Sequence, residues 1–245
     1  MPRHQTIFLF ILFCSAIACN KHTLPKSEQI SDCRQLVVVR SPSDASTQAS
    51  LKRFEKNGKE WKPVGEQVDV TLGRSGLAWG RGENAPQPGQ QKREGDGKSP
   101  SGIYTFGKVF GYAPASEASF KMPYVQADEA LECVDDSDSK FYNQLVDNKL
   151  VKKDWTSSEF MHRTDHQYRW GIVVNHNTPA QAQGGSCIFF HIWYEPGAAT
   201  SGCTALTEPN LLELLHWLDP VKSPLLLQVT EAEYPAFRKE LGLPE

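Results

Sequence analysis

The chain has 245 residues, of which 39% are hydrophobic, 10% aromatic and 22% charged, with six cysteines and a formal net charge of −3. It is long enough for one domain with a substantial core, too apolar and aromatic for a disordered chain, and too sparse in cysteine for a disulfide-built miniature scaffold. The near-neutral charge leaves no electrostatic footprint for nucleic acid or for a polybasic grip on a membrane surface.

Residues 1–18 read as a secretory signal. Arg3 precedes an apolar run from Ile7 to Ala18, which is too short to span a bilayer, and Ala16-Ile17-Ala18 gives the small-x-small pattern of a cleavage site. The next residue is Cys19, so the segment resembles a bacterial lipobox. Lipidation of Cys19 is expected, with an ordinary cleaved signal or a buried N-terminal element as the alternatives. This makes the protein an envelope or periplasmic lipoprotein held to the membrane by its N-terminus. Residues 19–34 are expected to be a polar tether and residues 35–245 the folded domain. In an oxidising compartment Cys33, Cys133, Cys187 and Cys203 remain to be assigned. They can form two bridges, or one bridge beside a working thiol.

Strand signals follow in order. Leu36-Val37-Val38-Val39 is a short β-branched run, Asn57-Gly58 marks a hairpin, and Val68, Val70 and Leu72 alternate with polar residues. Gly73 to Gly102 is rich in turns. It is not a phosphate-binding loop, because Lys92 stands where the first glycine would be. Ile103–Phe106, Trp170–Asn175, Cys187–Trp193 and Leu225–Val229 read as further strands. Thr207 caps a helix whose apolar face carries Leu211, Leu212, Leu214, Leu215 and Leu218, and a short helix is expected near 236–241. Many short strands with few helices predict a mainly β domain.

The stretch dense in reactive side chains ends this series. His191 closes a hydrophobic strand, and Thr200-Ser201-Gly202-Cys203 forms a small-residue turn before the capped helix. A cysteine nucleophile needs a nearby base and backbone N–H groups for the oxyanion, and Gly202 allows close backbone approach. The competing reading bonds Cys203 to Cys187 and leaves His191 as a core histidine. Alkylation separates them: an activated Cys203 thiolate reacts well below pH 8, a bridged one does not react. Other candidates are weaker. His162 and His166 at i, i+4, with His176 downstream, could face one way on a helix, but no glutamate completes a zinc-protease motif. Asp135, Asp136 and Asp138 lack the glycine of a calcium loop and read as a solvated turn. No metal or other cofactor is expected. Trp155 and Trp170 read as core aromatics, whereas Trp193 and Tyr194 flank His191 and are candidates to line a cleft.

His191, the spacer and Thr200-Ser201-Gly202-Cys203, followed by a leucine-rich helix ending in Trp217-Leu218-Asp219-Pro220, resemble the YkuD-type L,D-transpeptidase catalytic domain. Ser99-Pro100-Ser101-Gly102-Ile103-Tyr104 is similar to that family's Thr/Ser-Pro-x-Gly-x-Tyr/Phe segment. The resemblance implies a β-sandwich with a cleft. It implies Cys203 as nucleophile on peptidoglycan stem peptides, with His191 as base and later acid, oriented by a backbone carbonyl. The N–H groups of Ser201, Gly202 and Cys203 would form the oxyanion hole, and the thioester would pass to an amine or to water. Two positions depart from the family: Ser201 replaces a histidine, and Ala205 replaces an arginine suited to a substrate carboxylate. Arg163, Arg169 and Arg81 are the candidate substitutes. The departures leave open a non-catalytic wall-binding lipoprotein, and a secreted cysteine hydrolase of another amide or ester is a further alternative. With Cys203 kept free, Cys133 and Cys187 are the expected disulfide, Cys33 being unpaired or replacing one of them.

Overall fold

A computed structural model of the chain describes residues 28–243. The signal segment, Cys19 and most of the expected tether lie outside them. A short helix α1 (Glu28–Asp32) leads into β1 (Gln35–Ser41), β2 (Gln48–Asn57) and β3 (Glu60–Thr71), followed by β4 (Leu77–Trp79) and the long β5 (Ser99–Gly111). After β6 (Tyr124–Gln126) come β7 (Leu131–Val134), β8 (Leu145–Asp147) and β9 (Ser158–Phe160). The chain continues through β10 (Gly171–Val174), β11 (Phe189–Ile192), β12 (Thr204–Leu206), α2 (Glu208–Trp217), β13 (Leu225–Thr230) and α3 (Tyr234–Leu241). The domain is mainly β with a few short helices, as the sequence predicts.

Ten strands form one sheet in the order β10-β11-β12-β3-β2-β1-β13-β5-β4, with β6 also on β5. A further pairing of β10 with β5 closes the path into a ring. Closure removes most free strand edges. It also explains the unbroken apolar run of β1, which has a covered layer on each side. Val37 and Val39 point into the ring and pack with Leu51, Val70, Tyr104, Phe190 and Leu226. Leu36 and Val38 point outward beneath Tyr234 and Phe237 of α3.

The predicted helix forms where its cap dictates. The Thr207 hydroxyl accepts from the Asn210 N–H at 3.3 Å, and a proline sits in the first turn. Leu211, Leu214, Leu215 and Leu218 join the interior cluster, with Leu212 only partly buried. The hairpin turn is displaced by one residue from the sequence expectation. Asn57 still pairs with Glu60, so the turn is Gly58-Lys59, and of these only Gly58 has positive φ (62°).

No strand signal in the sequence marks the second, three-stranded sheet, β8-β7-β9. It is built in the long excursion between β6 and β10 and forms one wall of the cleft described below. The Cys133–Cys187 disulfide ties it to the ring, joining β7 to the residues just before β11 with Cα atoms 6.0 Å apart. Cys33 is free and buried, and its thiol is pushed up to about 12 by that burial. The disulfide closes a separation of 54 residues, for which chain entropy gives roughly 4 kcal/mol. Replacing both cysteines by serine is therefore expected to lower unfolding free energy by about 2–4 kcal/mol in urea titrations. An unchanged midpoint would show that packing alone holds this wall.

Candidate active site

The site follows from strand register. β11 and β12 run parallel, and His191 pairs with Ala205. Side chains two apart on a strand share a face. His191 is therefore on the same face as Phe189 and Ala205, and Cys203, two residues before Ala205, joins them as the Thr200–Cys203 turn enters β12. Phe190 and Ile192 take the opposite face into the ring interior. The parallel crossover is what folds residues 191–203 back on themselves.

Cys203 is free and buried, which excludes its pairing with Cys187. Its Sγ accepts the Phe189 N–H at 3.4 Å and faces the Cys187 carbonyl at 3.6 Å. The turn is clamped from both sides. The Cys203 carbonyl accepts the hydroxyls of Ser99 at 2.8 Å and Thr200 at 2.7 Å, and Ser99 Oγ also accepts the Gly73 N–H at 2.8 Å. Gly202 adopts φ of 148°, in the region that favours glycine. Its N–H donates to Thr200 Oγ1 at 3.1 Å. Of the three expected oxyanion donors, the Gly202 amide is thus already engaged.

His191 Nδ1 lies 2.7 Å from the Ile192 carbonyl. A carbonyl only accepts, so Nδ1 carries the proton and Nε2 keeps its lone pair. The Tyr168 ring meets the imidazole edge-on at 5.3 Å between centroids, and Tyr168 Oη donates to Glu159 at 2.6 Å. Burial pulls His191 down to about 4 and pushes the Cys203 thiol well up, the nearby Glu159 carboxylate adding to the latter. Burial likewise raises Glu159. At neutral pH the resting pair is therefore thiol and neutral imidazole.

The burial of Cys203 argues against ready alkylation below pH 8. Iodoacetamide is instead expected to label Cys203 slowly at about pH 7, with a rate that keeps rising past about pH 9 without a plateau there. Peptide mass spectrometry over a pH series checks this. Rapid labelling at pH 6 would contradict the neutral pair.

Cys203 lines two cavities. The larger, about 810 Å³, is lined by His191, Cys203, Ser201, Arg74, Arg163 and Glu159 among others. The smaller, about 260 Å³, shares Arg74, Glu159, Ser201 and Cys203 with it and extends to Lys92, Glu94 and Asp135. Two cations on these walls are already neutralised: Arg163 by Asp165 and Lys92 by Asp96.

Of the remaining sequence candidates, His162 lines the larger cavity and Asp135 the smaller, and the others fall elsewhere. Trp193 and Tyr194 line neither cavity. The Trp193 carbonyl accepts His166 Nε2 at 2.9 Å and the exposed Tyr194 ring stacks on His166, because the chain turns outward after β11. Arg169 pairs with Glu117 and Glu208 away from the cleft, and Arg81 bonds Gln181, Lys92 and Gly184 to fasten neighbouring loops. Of the three arginines considered as substitutes, only Arg163 reaches the cleft. His162 and His166 sit on irregular chain, not on a helix. His176 is buried apart from them, with its ring edge-on to Tyr104. Asp136 braces a turn through the Asp138 and Thr156 N–H groups. Trp155 and Trp170 are core residues.

Sequence reasoning missed Arg74, Glu159 and Tyr168. Arg74 sits in a turn-rich stretch, and the other two belong to the unpredicted wall, so no local pattern ties any of them to Cys203.

The family model of the L,D-transpeptidase catalytic domain, YkuD, matches residues 43–227. The chain belongs to this family. No curated protein matches it. Among solved structures, Bd1075 from Bdellovibrio bacteriovorus is 14% identical with a TM-score of 0.43, covering 89% of this chain and 56% of that one. The helical cell shape determining protein Pgp2 from Campylobacter jejuni is also 14% identical, with a TM-score of 0.39, covering 80% of this chain and 47% of that one. The chain thus spans about half the length of these two proteins.

Proposed function

We propose that this YkuD-family chain is a peptidoglycan acyltransferase that works through a Cys203 thioester on stem peptides. The observation that carries the reading is the placement of a free Cys203 on one sheet face with His191, whose Nδ1 is tied off by a carbonyl, at the junction of two cavities. One cavity holds the acyl donor, and the other admits the acceptor.

Because the resting pair is neutral, the proton moves during attack. Sγ bonds to the scissile carbonyl carbon while its proton passes to His191 Nε2. The N–H groups of Ser201 and Cys203 hold the oxyanion, and the Phe189 N–H steadies the sulfur as it gains charge. The C–N bond then breaks, and the imidazolium gives its proton to the leaving amine. An amine or water next attacks the thioester, His191 takes its proton, and the thiol is released. An amine gives L,D-transpeptidation. Water gives L,D-carboxypeptidase or endopeptidase activity.

The disulfide fits an oxidising compartment, so we place the domain outside the cytoplasmic membrane, tethered through Cys19. The test is incubation with defined tetrapeptide muropeptides, with and without an amine acceptor, followed by weighing of the products. A mass loss of one residue, or its exchange for the acceptor, is expected. Neither product nor a thioester adduct on Cys203 would overturn the reading and favour a wall-binding role.

A further inference from the structure

Arg74 differs from the other cations around Cys203. It lines both cavities, and among the described residues on their walls it is the one arginine or lysine with no carboxylate partner. Its side-chain bond is to a neutral acceptor: Nη1 donates to Ser201 Oγ at 2.9 Å. Although solvent-exposed, it is not a loose surface charge. Gly73 forms a parallel bridge with Thr200, and the Arg74 N–H donates to the Thr200 carbonyl at 2.8 Å, so its backbone is bound to the nucleophile turn itself. The side chain lies over Gly97, where a Cβ would come within 3.0 Å of the guanidinium carbon. One edge of a guanidinium is thus fixed beside the nucleophile, and its other donors stay open to the cleft. A planar fork in that state is suited to a carboxylate.

We propose that Arg74, held by Ser201, binds the free α-carboxylate of the residue that leaves when Cys203 attacks. This rests on the function proposed above and narrows it. The donor peptide ends one residue beyond the scissile bond, so the enzyme acts on chain ends and not within crosslinks. Glu94 and Asp135 line only the smaller cavity and so disfavour that carboxylate there. It is therefore placed against Arg74 and Ser201 where they face the larger cavity.

The test compares a stem tetrapeptide with its C-terminal carboxamide. For the wild type, kcat/KM is expected to favour the carboxylate by roughly 10- to 100-fold, the range of a charge-assisted hydrogen-bond pair. Arg74→Gln brings the two peptides to near parity, Arg74→Lys restores part of the preference, and Ser201→Ala loses part of it. Calorimetric binding of both peptides to Cys203→Ala and to Cys203→Ala with Arg74→Gln gives the same comparison without turnover. Carboxylate preference that survives Arg74→Gln in both formats overturns the proposal. So does the lack of any preference in the Cys203→Ala parent. Arg74-dependent carboxylate binding without turnover in the wild type would retain this inference and overturn the catalytic reading instead.

Discussion

Replacing Cys203 by alanine is expected to reduce turnover of tetrapeptide muropeptides by roughly 10⁴- to 10⁶-fold, as loss of a covalent nucleophile does elsewhere. The thioester adduct should vanish from the mass spectrum of the protein. The size of the effect follows from the site. Among the described residues no other cysteine is free on the cleft walls, since Cys187 is bridged to Cys133 and Cys33 lies under α3 on the outer face of the ring. The fold should survive, because Cys203 is held by its backbone. Its carbonyl accepts from Ser99 and Thr200, and both bonds are indifferent to the side chain. The loss of a sulfur from a packed position costs about 1–2 kcal/mol, which circular dichroism and a urea melt can register. Turnover at wild-type rates by a folded Cys203→Ala protein would exclude the thioester route.

Replacing His191 by glutamine removes the one proton acceptor placed on the face of Cys203 and is expected to lower kcat/KM by about 10²- to 10⁴-fold. The pH profile is the sharper measurement. Burial depresses His191 to about 4, so wild-type activity should hold down to about pH 5 and fall as pH drops through about 4, where the base becomes protonated. A limb near 6.5, the ordinary histidine value, would show that the imidazole is hydrated in the working enzyme. The same depression sets a sign for stability. The unfolded chain takes up this proton near 6.5 and the folded one only near 4. Stability is therefore fully present above pH 6.5 and declines as pH falls from there toward 4. His176, buried and depressed to about 3, acts in the same direction. Glu159, whose carboxyl is raised by burial, opposes them, favouring the folded state while it remains protonated.

The local signals read well for a physical reason. The β1 run, the alternation in β3, the Thr207 cap and the leucine face of α2 are set by residues within a few positions of one another, as are the strands around His191. The family was named from the likeness of His191, the spacer, Thr200-Ser201-Gly202-Cys203 and the Ser99-Pro100-Ser101-Gly102 segment to its motifs. Where local pattern was thin the reading slipped. Asn57-Gly58 located the hairpin but missed the turn by one residue, since the ladder with Glu60 decides which pair is left over. The β7–β9 wall escaped notice because its strands are only three or four residues long and two of them are partly exposed.

From its sequence alone, then, this protein reads as a mainly β member of the L,D-transpeptidase family with Cys203 and His191 as its candidate reactive pair. The protonation state of that pair was decided by the tertiary structure. Burial beneath the second sheet keeps the imidazole neutral, and burial together with Glu159 from its β9 strand keeps the thiol neutral. The cation left over beside them was decided there too. The sequence reading named Arg163, Arg169 and Arg81 as candidate substitutes, and each is bonded elsewhere. Arg74 comes from a turn 129 positions before Cys203, and it reaches the site only because the chain at Gly73 and Arg74 pairs with Thr200. Charge, burial and long-range pairing are properties of the assembled sheet, and no window of the sequence contains them.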